Sequence, residues 1–154
     1  MISVSKQTSI YTIGYEGVVF ETFLRKLKNS GIKQLIDVRR NPISRKPGFS
    51  KNKLAQKLQA EGITYIHIPE LGIPSEMRRE LNNKEDYVKL FDKYETDLLP
   101  TAQRQKEILI NLLEEKPSVL LCFESDPEYC HRTRLAKVIA DETGLQQIHL
   151  HYSH

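Results

Sequence analysis

The sequence predicts an α/β fold: a single-domain, mostly parallel sheet flanked by helices in a Rossmann-like three-layer arrangement. Three observations carry this reading. Short apolar runs alternate with stretches of helical period along the chain, the pattern of repeated βα units. The run from Ser118 to Phe123 is apolar almost throughout, as a central parallel strand covered on both faces must be. Glycines at 31, 62 and 144 fall where helical periodicity stops.

Taken in order, Ile10, Tyr11, Thr12 and Ile13 make residues 10–14 a first strand. A helix follows with Phe20, Phe23, Leu24 and Leu27 on one face and Gly31 as its stop. Residues 34–38 form a second strand. After a basic loop, Ser50 is placed as the N-cap of a helix that carries Leu54, Ala55 and Leu58 and ends at Gly62. Residues 63–68 give a third strand. A helical section in two parts comes next: Tyr87, Leu90, Phe91 and Tyr94 keep helix spacing, as do Ile108, Leu109, Leu112 and Leu113 beyond Pro100, and Pro117 closes it. After the central strand, Asp126 and Pro127 are placed as N-cap and first residue of a helix bearing Leu135, Val138 and Ile139. Residues 147–151 supply a last strand.

At 154 residues the chain is about one domain long, and residues 1–154 are expected to form one domain without repeat or linker. With 39% apolar and 28% charged residues it is neither disordered nor fibrous. No apolar run approaches the ~20 residues that span a bilayer, so no membrane partner is expected. The first residues lack the apolar run of a secretory leader. Two cysteines are too few for a disulfide scaffold, and the expected setting is cytoplasmic. Composition is silent on oligomeric state.

Net charge is +3, but it is unevenly spread. From Val38 to Ala60 there are seven basic residues (Arg39, Arg40, Arg45, Lys46, Lys51, Lys53, Lys57) and no acid, which leaves the remainder slightly acidic. Such a stretch attracts anions. Asp37 closes the preceding strand, where an acid can orient a histidine or accept a proton. Phe49 offers either a stacking surface for a base or packing over the sheet. In open parallel sheets ligands bind outside the carboxyl ends of the strands, here residues 15–17, 39–41, 69–72 and 124–126. Tyr15, Asn41 and Gly72 are therefore expected in a pocket.

The densest chemistry is Cys122 and Glu124 followed by Cys130, His131 and Arg132. The triplet falls at the start of a helix, where unpaired N–H groups and the dipole favour an anion. Arg132 can grip two oxygens of a phosphate or carboxylate. The same field would activate an exposed Cys130, and His131 would act as general acid or base. Each has a plainer reading. His131 precedes Leu135 by four and Val138 by seven, so it also suits a buried ring satisfied by Asp37 or Glu124. Cys122 and Cys130 suit core positions, and Arg132 suits a surface ion pair.

Phosphate-loop, dinucleotide-binding, serine-elbow and zinc-protease motifs are absent from the sequence. Cys122, Cys130 and His131 match no usual four-ligand zinc spacing. His149, His151 and His154 suit a frayed end better than a metal site. No cofactor and no metal is expected.

Together these pieces resemble an uncharacterised family, domain of unknown function 488. The resemblance runs through Tyr11-Thr12-Ile13-Gly14-Tyr15, then Asp37-Val38-Arg39 with Pro42, Ser44, Arg45 and Phe49. It continues in Gly62-Ile63-Thr64-Tyr65, His67 and Leu71-Gly72, and closes on Cys122-Phe123-Glu124 and Cys130-His131-Arg132 with Leu135-Ala136. Many members have a glycine pair where this chain has Gly72 and Ile73. The resemblance implies the fold and no assigned activity.

The residues themselves suggest an enzyme, a hydrolase or transferase, acting on a phosphate-containing small molecule or nucleic acid. Arg132, Arg39, Arg40 and Arg45 would hold the anion, while Glu124, Cys130, His131 and Asp37 would supply the chemistry. The alternative is a non-catalytic nucleic-acid-binding or regulatory module built on residues 39–57.

Overall fold

In the computed structural model, residues 9–78, 80–124 and 126–152 are described; the leader region, Ser125 and His154 considered above lie outside them. Five strands, β1 (Ser9–Gly14), β2 (Gln34–Asp37), β3 (Thr64–His67), β4 (Ser118–Cys122) and β5 (Gln146–His149), form one sheet in the order β3-β2-β4-β1-β5. Every pairing is parallel, so the sheet is wholly rather than mostly so. β4 lies at its centre with all five residues buried, which is why its sequence shows no polar alternation.

The period of two in the strands sorts side chains to two faces. Ile13, Leu35, Val119 and Leu121 pack against Phe23 and Leu27 of α1 (Phe20–Asn29) and Leu54 and Leu58 of α2 (Lys51–Ala60). Ile10, Ile36 and Leu120 face the other way. They meet Leu90 and Phe91 of α3 (Lys84–Lys93), Leu109 and Leu113 of α4 (Gln103–Glu115), and Leu135, Ala136 and Ile139 of α5 (His131–Thr143). α3 and α4 are joined by a π-helical turn, Tyr94–Leu98, and a 3-10 turn, Leu99–Ala102, that carries Pro100. The proline has no N–H to continue an α-helix, which accounts for the two-part section. Among the described residues, no helix is long and apolar enough to cross a membrane.

Two helix starts differ from expectation. Asp126 does cap, accepting the Glu128 N–H at 2.9 Å, but what it opens is the 3-10 turn Pro127–Tyr129. α5 begins only after the extended backbone of Cys130, whose sulfur accepts the Arg132 N–H. Ser50 stands at the N-cap position of α2 without capping it. Its hydroxyl instead donates to the Ser44 carbonyl at 3.0 Å and accepts the Ser44 N–H at 2.9 Å, closing the basic loop on itself.

The order of strands positions a site. β2 and β4 are neighbours, yet the helices that follow them lie on opposite faces of the sheet. Their outgoing loops therefore diverge and leave a crevice beyond the carboxyl ends of the strands.

Candidate functional site: an arginine-lined crevice

The crevice is built on the last residue of β2. Asp37 is fully buried and its carboxylate accepts four hydrogen bonds. Oδ1 receives the Arg39 backbone N–H at 3.1 Å and Nε–H at 2.9 Å, while Oδ2 receives Arg39 Nη2 at 2.8 Å and the Tyr65 hydroxyl at 2.6 Å. Arg39 also donates through Nη1 to the Tyr15 hydroxyl at 2.9 Å and the Phe49 carbonyl at 2.7 Å. Burial works against its charge, but the bonds and charge of Asp37 prevail and hold the guanidinium above its ordinary value. The Tyr65 hydroxyl is likewise pushed up, by burial first and then by Asp37. Tyr15 stacks on Phe49 with ring centroids 4.4 Å apart, so Phe49 is a fully buried support for the basic loop.

Two histidines fix the backbone of the same loop. His67 contacts the Arg39 carbonyl through Nε2 at 2.8 Å, and His131 contacts the Val38 carbonyl through Nε2 at 2.9 Å. A carbonyl only accepts, so each ring carries its proton on Nε2. Burial, followed by the charge of Arg78, pushes His131 down to about 3, so its ring is neutral at ordinary pH. Its partner is thus a backbone carbonyl, rather than Asp37 or Glu124. Gly72 completes the mount. A Cβ there would land on the backbone of Arg40 and 2.8 Å from the Val38 carbonyl oxygen, so only glycine lets this segment lie against the loop.

Around the connection from β4 to α5, Arg132 is wholly buried. Its Nη1 donates to the Glu124 carbonyl and to Cys122 Sγ, the latter at 3.4 Å. Burial lowers it to about 10, opposed by the carboxylate of Glu124. The structure joins Cys122 to Cys130 as a disulfide across Cα atoms 7.1 Å apart, where sequence reading treated them as separate core positions. Cys130 Sγ also receives the Arg132 N–H at 3.5 Å.

Above this buried layer lies a cavity of about 390 Å³. Tyr15, Arg39, Arg40, Asn41, Arg45, Glu124 and His131 line it, as do the unanticipated Ser75 and Arg78. Asp37, Gly72, Cys130 and Arg132 stand behind its wall. Among the described residues Glu124 is the only acid in the lining, against four arginines. Burial raises its carboxyl above the usual range, while Arg78 opposes the shift. Among the described residues no carboxylate lies within ion-pair distance of Arg40, Arg45 or Arg78. Arg78 had no signal in the sequence beyond its place after β3. It follows two 3-10 turns, Pro69–Leu71 and Ser75–Met77, which have no periodicity to read.

The fold and crevice thus define an α/β protein with a polar, arginine-rich site at the carboxyl end of a parallel sheet. More particularly, the chain belongs to the family described as "Domain of unknown function DUF488", whose model matches residues 20–139. That span runs from the start of α1 into α5 and takes in the whole cavity lining except Tyr15. Neither the search of curated proteins nor the search of solved structures found a match.

Proposed function

We propose that the crevice binds a phosphate-containing ligand, a nucleotide or the phosphate of a nucleic acid, and that the protein is a hydrolase or transferase acting on it. The observation that carries this is the convergence of Arg40, Arg45 and Arg78, without ion-pair partners among the described residues, on one cavity whose only acid is Glu124. Guanidinium groups that converge on a cleft favour an anion there, and a volume of about 390 Å³ suits a small organic ligand. Arg39 contributes by position: it holds Tyr15 and the basic loop in place. Glu124 stands where a carboxyl can move a proton to or from the ligand. Arg132 and Cys130 support this wall from behind.

The alternative, a nucleic-acid module on residues 39–57, has fewer cations at its disposal than the sequence suggests. Lys46 Nζ is bound to the Val18 carbonyl at 2.9 Å, and Lys57 Nζ lies 4.6 Å from the centre of the Phe20 ring. That observation favours the pocket.

Thermal-shift measurements with inorganic phosphate, nucleotides and short RNA and DNA test both readings. A ligand at 100 times its dissociation constant stabilises by about 2.7 kcal/mol, which is roughly 5–11 °C for a domain near this size. The pocket reading expects that shift with a phosphorylated small molecule in the wild type and its loss in Arg78→Ala and Arg45→Ala. A shift with nucleic acid alone, unchanged in Arg78→Ala and abolished by salt, would transfer the case to the module. No shift with any of these ligands would remove the phosphate reading.

A further inference from the structure

At the cavity wall, three metal-ligating side chains converge. Cys122 ends β4, Cys130 caps α5 and His131 opens it, so the connection folds back and delivers all three to one point. One ligand atom from each lies within 4.8 Å of the other two, and all three residues are buried. We propose that, once a thiol reductant opens the Cys122–Cys130 disulfide, Cys122, Cys130 and His131 form a binding site for a thiophilic divalent cation of the zinc class, with its remaining coordination position turned toward the arginine-lined cavity. This goes beyond the anion reading and can fail without it.

Three features of the surroundings support the assignment. First, His131 donates Nε2–H to the Val38 carbonyl at 2.9 Å, which leaves the Nδ1 lone pair on the side of Cys130 Sγ, 4.0 Å away. Metal-binding histidines almost always give their second ring N–H to a carbonyl or carboxylate in this way. Second, each sulfur is met by an N–H donor: the Arg132 backbone N–H at 3.5 Å from Cys130 Sγ, and Arg132 Nη1 at 3.4 Å from Cys122 Sγ. Such donors and the guanidinium charge stabilise thiolates, the form that binds metal. Third, the Cα atoms of Cys122 and Cys130 are 7.1 Å apart, which leaves the two sulfurs room to separate once reduced. Two thiolates on a tetrahedral ion, with metal–sulfur bonds of about 2.3 Å, stand about 3.8 Å apart.

Cys122 and His131 both reach the cavity lining, and Glu124 Oε1 lies 3.9 Å from Cys122 Sγ. The fourth position therefore falls to Glu124 or to water on the cavity side, the arrangement of an open rather than a closed zinc site. Two thiolates and an imidazole select soft and borderline ions over magnesium or calcium. Binding follows a two-electron reduction of the Cys122–Cys130 disulfide by a thiol reductant, which leaves as its own disulfide; the two thiols so formed then lose their protons as two metal–sulfur bonds form.

The test is an anaerobic titration of the reduced full chain with Co²⁺ alone, followed by displacement with Zn²⁺. The expected result is a 1:1 complex with thiolate-to-cobalt charge-transfer absorption and the visible bands of a tetrahedral site, release of two protons, and loss of the bands on adding Zn²⁺. Cys130→Ser retains a good N-cap for α5 and therefore a folded chain. It should bind at least ~100-fold more weakly, more than the 10–100-fold that second-shell changes cost. His131→Gln, checked for fold by circular dichroism, should also bind more weakly and with altered visible bands. Co²⁺ binding without charge transfer, as surface histidines would give, overturns the proposal. So does binding in folded Cys130→Ser as tight as in the wild type.

Discussion

Replacing Asp37 by alanine should unfold this protein at a much lower temperature. Its carboxylate is fully buried and receives three N–H groups of Arg39 and the Tyr65 hydroxyl, at 2.6–3.1 Å. Alanine leaves a guanidinium with 7% exposure and no counter-charge. Breaking a buried pair from one side costs about 3–5 kcal/mol. Domains are stable by only about 5–15 kcal/mol, so this is a large fraction of the total. At roughly 2–4 °C per kcal/mol, the midpoint should fall by about 6–20 °C.

The converse change, Arg39→Leu, strands the carboxylate and should cost a similar amount. The double variant Asp37→Leu/Arg39→Leu removes both charges and should recover much of the loss, though Tyr15 and the Phe49 carbonyl still lack their Arg39 partner. Urea unfolding followed by circular dichroism closes the cycle, with an expected coupling of at least about 2 kcal/mol. A loss below about 1 kcal/mol in Asp37→Ala, or single-variant losses that simply add, would refute the reasoning that this pair is the mount of the basic loop.

Other perturbations test other parts of the frame. Gly72→Ala places a Cβ against the Arg40 backbone and should cost about 1–3 kcal/mol in urea unfolding, with loss of any phosphate response because the loop is displaced. Tyr94→Phe removes a buried hydroxyl that donates to the Leu71 carbonyl at 2.6 Å, and should cost about 1–3 kcal/mol by stranding that acceptor. His149, whose Nδ1 lies 2.6 Å from Thr12 Oγ1, is held below its ordinary value by burial and then by Arg132. The unfolded chain therefore takes up its proton first as pH falls below about 6.5, and this part of the stability declines over that range. Urea midpoints between pH 7.5 and 5.5 should fall more steeply in the wild type than in His149→Gln, and identical slopes would count against it.

The frame was legible because periodicity is a physical consequence of two-sided burial. β4 reads as a central strand since both its faces are covered, and the apolar residues of α1 fall on one face because only that face meets the sheet. The boundaries that went astray depend on single side chains. Asp126 and Ser50 are both good cap residues, and nothing local says that one opens a 3-10 turn and the other bonds to Ser44. The crevice was legible as a set of loops, since the strand ends had to gather there. Which arginines would be spent on the fold was not. Arg39 and Arg40 are neighbours of one residue type and both reach the cavity, yet the guanidinium of Arg39 is held by Asp37 and that of Arg40 has no carboxylate partner among the described residues. For Arg132 a signal did exist: it precedes Leu135, Ala136 and Ile139 by three, four and seven, which puts it on the buried face of α5.

This division of the basic residues decides how the site can vary. Asp37, Arg39, His67, His131 and Gly72 fix the backbone of the loop after β2, and Arg132 fixes the connection after β4. Changes in that layer act through stability and would alter any ligand response only by moving the loops. Arg40, Asn41, Arg45, Ser75 and Arg78 stand on the cavity side, and among the described residues only the Asn41–Ser75 contact at 3.2 Å and a long Arg40–Pro69 contact at 3.5 Å tie their side chains down. Substitutions there should change binding while leaving the urea midpoint within about 0.5 kcal/mol of wild type, the usual range for surface positions. An inner variant and an outer variant with equal loss of ligand response are thus distinguished by their stability. If Arg78→Ala were as destabilising as Asp37→Ala, Arg78 would belong to the inner layer and would no longer count as an anion contact.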